Sequence, residues 1–126
     1  MKRHRFFHLA FATVVSIHLF PSPADADDPP PGVELHVASD GDDANPGAAS
    51  KPFATLERAR DEIRAIKKAK GLPTGGVAVT VRGGLYALDR AFELTAEDSG
   101  EAKAPIVYRA RKGEEVRISG GKRVTE

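Results

Sequence analysis

The densest group of side chains with metal-binding chemistry lies in one short loop, residues 40–47. Its oxygen ligands come from Asp40, Asp42, Asp43 and Asn45. Calcium binds several oxygens from a tight loop, and a loop of the EF-hand type needs an acid at its twelfth position. Counted from Asp40, that position is Lys51. Because Asp and Asn side chains also bond their own backbone in turns, the sequence favours a turn over a calcium site, and we predict no metal or cofactor.

A single histidine, His36, lies outside the first 26 residues, and the chain has no cysteine. A hydrolytic triad needs a base beside a nucleophile and an orienting acid. A zinc site needs three or four His, Cys or acid ligands. His36 falls at an outward position of a predicted strand, so we expect a solvated side chain there and neither of these sites.

Paired carboxylates, the chemistry of glycoside hydrolysis, are available in the second half of the chain. The acids concerned are Glu93, Glu97, Asp98, Glu101, Glu114 and Glu115. All of them fall at predicted turns or outward strand positions, where solvated charge is the ordinary state. We therefore predict no catalytic residue in this chain.

A basic cluster ends the predicted helix and is formed by Arg64, Lys67, Lys68 and Lys70. A polyanion such as an acidic polysaccharide could bind there. Cations in the last turn of a helix are also favoured by its dipole, and we favour this second explanation.

The elements that would position these groups begin with a strand and a helix. Residues 34–38 alternate, with Leu35 and Val37 on one side, which predicts a strand. A helix is predicted next, with Thr55 as its N-cap and Gly71 as its stop signal. Its apolar stripe consists of Leu56, Ala59, Ile63 and Ile66. One narrow stripe is typical of a helix that covers a core from outside.

Short alternating segments follow the helix. Period-two alternation over residues 77–82 predicts a strand that Gly83 and Gly84 end. Three more strands are predicted, around Phe92 and Leu94, Ile106 and Tyr108, and Val116 and Ile118. Short strands separated by turns permit either a β-sandwich or a β-solenoid, so the predicted fold class is mainly β.

The first 26 residues have the form of an export signal. Three basic residues lie within the first five positions, and residues 6–20 contain no Asp, Glu, Lys or Arg. Ala24 and Ala26 supply the small residues that a signal peptidase needs, so we predict cleavage after Ala26. A membrane anchor would require about 20 apolar residues, and this run is shorter. We therefore predict a secreted or periplasmic protein with no membrane span in its mature part.

Charge and composition constrain the part of the chain that follows the signal. Loss of residues 1–26 removes three of 19 basic and one of 18 acidic residues, so the formal net charge changes from +1 to −1. This balance excludes the basic surface of a nucleic-acid-binding domain. Residues 27–33 form a predicted Pro-rich linker, and residues 34–126 form the predicted folded part.

Four motifs occur in a characteristic order. They are HVASDGDDANPG at 36–47, KPFATL at 51–56, VRGGLY at 81–86, and APIVYRA at 104–110 followed by ISGG at 118–121. With a helix between the second and third motifs, this order resembles the N-terminal region of pectin-lyase-like right-handed parallel β-helix proteins exported by bacteria. The resemblance spans nearly all of the mature chain.

The resemblance implies that the helix caps the N-terminal end of a solenoid and that the later strands form its first coils. A cap is needed because terminal repeats must cover an open apolar core. Members of this family continue for several hundred residues, whereas this chain ends at Glu126. We therefore expect a truncated β-helix, with possible self-association of the chain through the open coil end.

Three functions are compatible with the resemblance. The first is the cap of a polysaccharide-degrading lyase or glycoside hydrolase whose active site lies elsewhere. The second is a non-catalytic, carbohydrate-binding or adhesin-like surface module, and the third is an inactive remnant. The family's lyases use acids with calcium and a basic residue on middle coils, and no position here matches such a motif. A polysaccharide is the partner that the resemblance implies.

Overall fold

The computed structural model describes residues 29–121 and Val124, and this part of the chain consists mainly of strands. The predicted signal peptide, residues 1–26, lies outside the described residues. In chain order the elements are β1 (Val33–Val37), α1 (Leu56–Lys70), β2 (Val77–Val81), β3 (Gly84–Ala87), a short 3-10 helix (Ala96–Asp98), β4 (Ile106–Ala110) and β5 (Val116–Ser119). No helix in the described part is long and apolar enough to cross a membrane.

The strands form two sheets in which every neighbouring pair runs parallel. One sheet has the order β1-β2-β4 and the other the order β3-β5. Leu35 is in register with Val79 and Val79 with Tyr108, while Tyr86 is in register with Ile118. After α1 the chain therefore alternates between the sheets, and β2, β4 and β5 each lie beside an earlier strand of their sheet. This pairing differs from the antiparallel sheets of a β-sandwich.

One apolar core joins the inward faces of both sheets to the helix. Its most deeply buried large side chains are Phe53, Ile63, Val37, Val77 and Val79. Tyr86 of β3 belongs to the same cluster, as does Leu56 at the start of α1. The alternation predicted for β1 and β2 therefore selects the correct inward side chains.

Helix α1 begins and ends where its capping residues predict. The Thr55 hydroxyl accepts a hydrogen bond from the Arg58 backbone N–H at 3.1 Å, which satisfies one of the donors left free in the first turn. At the other end Gly71 has a φ of 78° and donates its N–H to the Lys67 carbonyl at 3.0 Å. Leu56, Ala59 and Ile63 of the stripe are buried, so this face packs onto the core.

One predicted strand is wrong and another strand was not predicted. Residues around Phe92 and Leu94 form no strand, and Phe92 packs edge-to-face on Tyr108, with ring centroids 5.7 Å apart. The strand of this region is β3, which starts at Gly84, a residue that we predicted as a strand end. Gly84 donates its N–H to the Glu115 carbonyl at 3.0 Å, and this bond starts the ladder with β5.

Candidate functional site

The acidic loop before α1 anchors the start of the helix. One carboxylate oxygen of Asp43 accepts the backbone N–H groups of Ala54 and Thr55, at 2.9 and 3.0 Å. The other accepts the Thr55 hydroxyl at 2.8 Å. The Asp43 carbonyl accepts the Nε–H of Arg58 at 3.2 Å. This single aspartate therefore ties the loop to the N-terminal end of α1.

The remaining loop contacts are those of a turn. Asp42 Oδ1 accepts the Ala44 N–H at 2.8 Å, and the Asn45 side chain donates to the Pro52 carbonyl at 3.0 Å. Gly47 has a φ of +79°, and a Cβ built there would collide with the Phe53 ring. These bonds are the ones that the turn interpretation predicts. Within residues 29–121, no three His, Cys, Asp or Glu side chains lie together as metal ligands.

A second set of contacts joins α1 to the segment before β4. Arg64 donates two bonds to the Asp98 carboxylate, Nε to Oδ1 at 2.8 Å and Nη2 to Oδ2 at 2.6 Å. Lys67 Nζ donates to the carbonyls of Glu97 and Ser99 at 3.1 and 2.9 Å. These two cations of the predicted basic cluster are thus engaged within the chain, which leaves them fewer donors for a polyanion. Lys68 is exposed.

Asp98 is not the solvated acid that its turn position predicts. Its side chain is 4 % exposed, against 75 % for Glu97 beside it. Hydrogen bonding from Arg64 lowers the pKa of Asp98 to about 2, although burial opposes this shift. The backbone N–H of Thr95 adds a further bond at 2.7 Å. Asp98 is therefore a structural anion that holds this segment against the helix.

Tyr108 of β4 lies beside this ion pair. Burial raises its pKa to about 12, and the negative charge of Asp98 acts in the same direction. The guanidinium of Arg60 lies 5.8 Å from the centre of the Phe92 ring, and its Nη1 donates to the Glu93 carbonyl at 3.0 Å. The region is a packed polar–aromatic junction whose groups are engaged with one another.

His36 lies in a polar row on the outward face of the larger sheet. It is in register with Thr80, and Thr80 with Arg109. The buried Thr80 hydroxyl donates to Glu34 at 2.7 Å, and this bond is the main cause of the lowered pKa of Glu34. Arg109 Nη2 lies 3.4 Å from the same oxygen. The His36 side chain is half-buried, which is less solvated than we predicted.

The carboxylates that could form a catalytic pair are dispersed. Glu114 accepts the Gly83 N–H at 2.7 Å, and Glu115 pairs with Arg117 at 2.8 Å. Glu93 and Glu101 are exposed. These acids therefore face different neighbours, and only Asp98 is held in a defined, mostly desolvated position.

A concavity of about 830 Å³ lies between the first turn of α1 and β3. Its charged lining consists of Glu57, Arg60, Asp89, Arg90 and Glu93. A smaller groove of about 350 Å³ lies on the outward face of the β1-β2-β4 sheet. Neither concavity is predictable from the sequence, because each is made by residues far apart in the chain.

Comparison with known proteins relates the chain to carbohydrate-degrading enzymes. No family model matches the chain. It is similar to "Pectate lyase PEL9" of Emericella nidulans, with 32% identity over 87 residues that cover 69% of this chain and 18% of that protein. It also superposes on a solved chain described as "Glycoside hydrolase", with a TM-score of 0.68, 33% identity, and coverage of 74% of this chain and 16% of that one.

A further solved chain, described as "Rhamnogalacturonan lyase", superposes with a TM-score of 0.48 at 26% identity, over 69% of this chain and 21% of that one. The present chain spans less than a fifth of the length of the curated relative, of which it covers 18%. The names of the similar pectate lyase and glycoside hydrolase agree with the carbohydrate relationship that the four sequence motifs imply.

Proposed function

We propose that residues 34–126 form the N-terminal cap and first coils of a right-handed parallel β-helix in a polysaccharide-degrading protein, a lyase or a glycoside hydrolase. The supporting observation is the in-register parallel pairing of β1 with β2 and of β2 with β4, accompanied by the pairing of β3 with β5. Parallel neighbours need crossover connections, which are right-handed in about 98 % of cases. Alternation between two sheets with that handedness is the path of a β-helix.

In this proposal α1 is the cap. β1 is an edge strand of its sheet, and the buried stripe of α1 belongs to the same apolar cluster as the inward residues of β1. A helix in this place would shield the first coil from water, which terminal repeats require. Asp43 and the Arg64–Asp98 pair would hold the helix on that end.

Export is a further part of the proposal. Residues 1–26 would direct the protein out of the cytoplasm and be removed after Ala26. The mature protein would then be secreted or periplasmic, where extracellular polysaccharide is encountered. N-terminal sequencing of the exported protein tests this part, and a start at Asp27 is the expected result.

The chemistry would lie outside residues 34–126, since the acids that could form a pair are dispersed or engaged. Glu114 and Glu115 each have a partner within the chain, and Asp98 is bound by Arg64. The same observation favours the alternative of a non-catalytic carbohydrate-binding module, which would use the fold without a reaction.

Binding and turnover measured on one preparation test the proposal. The purified chain is run through native gels containing polygalacturonate, rhamnogalacturonan or xylan, and product release from each is followed in solution. We expect retardation by at least one polysaccharide and no product. Product formation that one acid-to-amide substitution abolishes would refute the absence of a catalytic group. Migration unchanged by all three polysaccharides would refute the alternative of a carbohydrate-binding module, since a cap need not contact the polysaccharide itself.

A further inference from the structure

The smaller groove, on the outward face of the β1-β2-β4 sheet, has an unusual lining. It is formed mainly by Pro29, Pro31, Ala78, Lys103, Val107 and Arg109. Its floor is apolar, and Val107 is 42 % exposed within it. Two cations, Lys103 and Arg109, line it, and none of the described residues that line it is an acid. Apolar walls with a few convergent charges are typical of a ligand site.

Both cations keep hydrogen-bonding capacity for a ligand. Within residues 29–121, the Lys103 ammonium contacts no acid, while its backbone carbonyl accepts the Gly75 N–H at 3.0 Å and so fixes the position of the residue. Among the described residues, the Arg109 guanidinium makes one hydrogen bond, 3.4 Å to the Glu34 carboxylate. That carboxylate oxygen already accepts the Thr80 hydroxyl at 2.7 Å. Because a guanidinium has five N–H donors, most donors of Arg109 remain available.

We propose that this groove binds an anionic sugar unit, one whose ring carries a carboxylate or a sulfate. The acidic group would pair with Lys103 and Arg109, and charge-assisted bonds of this kind are the stronger ones. The C–H face of the ring would pack on the proline and valine side chains. A neutral sugar would offer the two cations hydroxyl oxygens but no opposite charge, and its hydrogen bonds would be weaker. The choice of a saccharide rests on the proposed function, whereas the preference for an anion rests on the groove alone.

Calorimetry with the purified chain tests the site. The ligands are an oligogalacturonate, a sulfated oligosaccharide and a neutral xylo-oligosaccharide. The site variant carries Lys103→Ala with Arg109→Ala, and the control carries Lys68→Ala with Lys70→Ala, which removes the same charge from an exposed part of α1. We expect the site variant to bind the anionic ligand at least about tenfold more weakly, and the control to bind as the wild type. Lys103→Glu, at an exposed position, is the second variant should the double variant fail to fold.

The outcomes separate this inference from the proposed function. An oligogalacturonate that binds more tightly than the sulfated ligand assigns the acidic group as a carboxylate, and the reverse order assigns it as a sulfate. Equal weakening in site variant and control would show diffuse attraction and overturn the inference. Equal binding of the neutral ligand, or wild-type affinity in the site variant, would also overturn it and leave the polysaccharide role standing. A wild-type chain that binds no saccharide would overturn the inference, whereas the cap role is tested separately by the strand register.

Discussion

Replacing Asp98 with Asn removes the charge that holds α1 against the segment before β4. An ordinary aspartate has a pKa of 3.8, and the bonds from Arg64 lower that of Asp98 to about 2. A difference of this size corresponds to about 2 kcal/mol of folding free energy at neutral pH. Because Arg64 is 28 % exposed, solvent screens part of it, and we expect a loss of about 1–2 kcal/mol in Asp98→Asn.

The pH dependence has a defined sign. The pKa of Asp98 is lower in the folded chain than in the unfolded chain, so its contribution is complete above about pH 5 and is lost as the pH falls through 4 toward about 2. Urea unfolding followed by circular dichroism at pH 7, 4 and 2 measures this contribution. The difference in free energy of unfolding between the wild type and Asp98→Asn should shrink toward acid pH.

The control is Glu97→Gln, which removes the same charge one residue earlier. Glu97 is 75 % exposed and lies 3.9 Å from Arg64, so we expect a change below about 0.5 kcal/mol. Equal losses in the two variants, or a difference for Asp98→Asn that does not change between pH 7 and 2, would refute the assigned role of the ion pair.

Three other predictions concern the loop and the aromatic residues. Asp43→Ala removes three hydrogen bonds at the start of α1. It should lower the free energy of unfolding, measured with urea, by about 2 kcal/mol. An equal loss in Asp40→Ala would contradict the assigned role of Asp43. Gly47→Ala forces a Cβ onto the Phe53 ring at a φ of +79°. The thermal unfolding midpoint of this variant should fall well below that of Gly120→Ala, because Gly120 has open space around it. Equal midpoints in the two variants would contradict the packing of Gly47 on Phe53. Burial raises the pKa of both tyrosines. Absorbance in alkali should therefore show neither tyrosine ionising near pH 10 in the folded chain, whereas both should ionise near pH 10 in the urea-unfolded chain. Tyrosines that titrate alike in the two states would contradict their burial.

Local signals in the sequence predict the elements whose cause is local. Thr55 and Gly71 mark the ends of α1 because capping is decided within a few residues. β1 and β2 are predictable because apolar side chains recur at every second residue along each strand. β3 was not predicted because it begins at Gly84, and we interpreted that glycine as the end of the preceding strand. The strand expected at Phe92 is absent, and its ring packs on Tyr108 of β4, a contact that alternation along the chain does not predict.

The polar contacts that anchor the helix were much less predictable. Arg64 and Asp98 are 34 residues apart, and no spacing rule relates side chains across such a distance. Asp43 appeared as one of several acids in a loop, and its bonds to residues 54 and 55 depend on the path of the intervening chain. The outward groove likewise combines residues 29–31 with residues 103–109. Such sites follow from sheet register, which the alternation of a single strand does not specify.

The parallel register of β2 and β4 underlies both the fold proposal and the position of the groove, and cross-linking tests it most directly. The chain has no natural cysteine, so two can be introduced in a clean background. Ala78 is in register with Val107, and directly opposed positions lie about 5 Å apart, within the range for a disulfide. We predict that Ala78→Cys with Val107→Cys oxidises readily, whereas Ala78→Cys with Arg109→Cys, displaced by two residues, does not. Preferential oxidation of the displaced pair, or no bond in the first pair, would contradict the account.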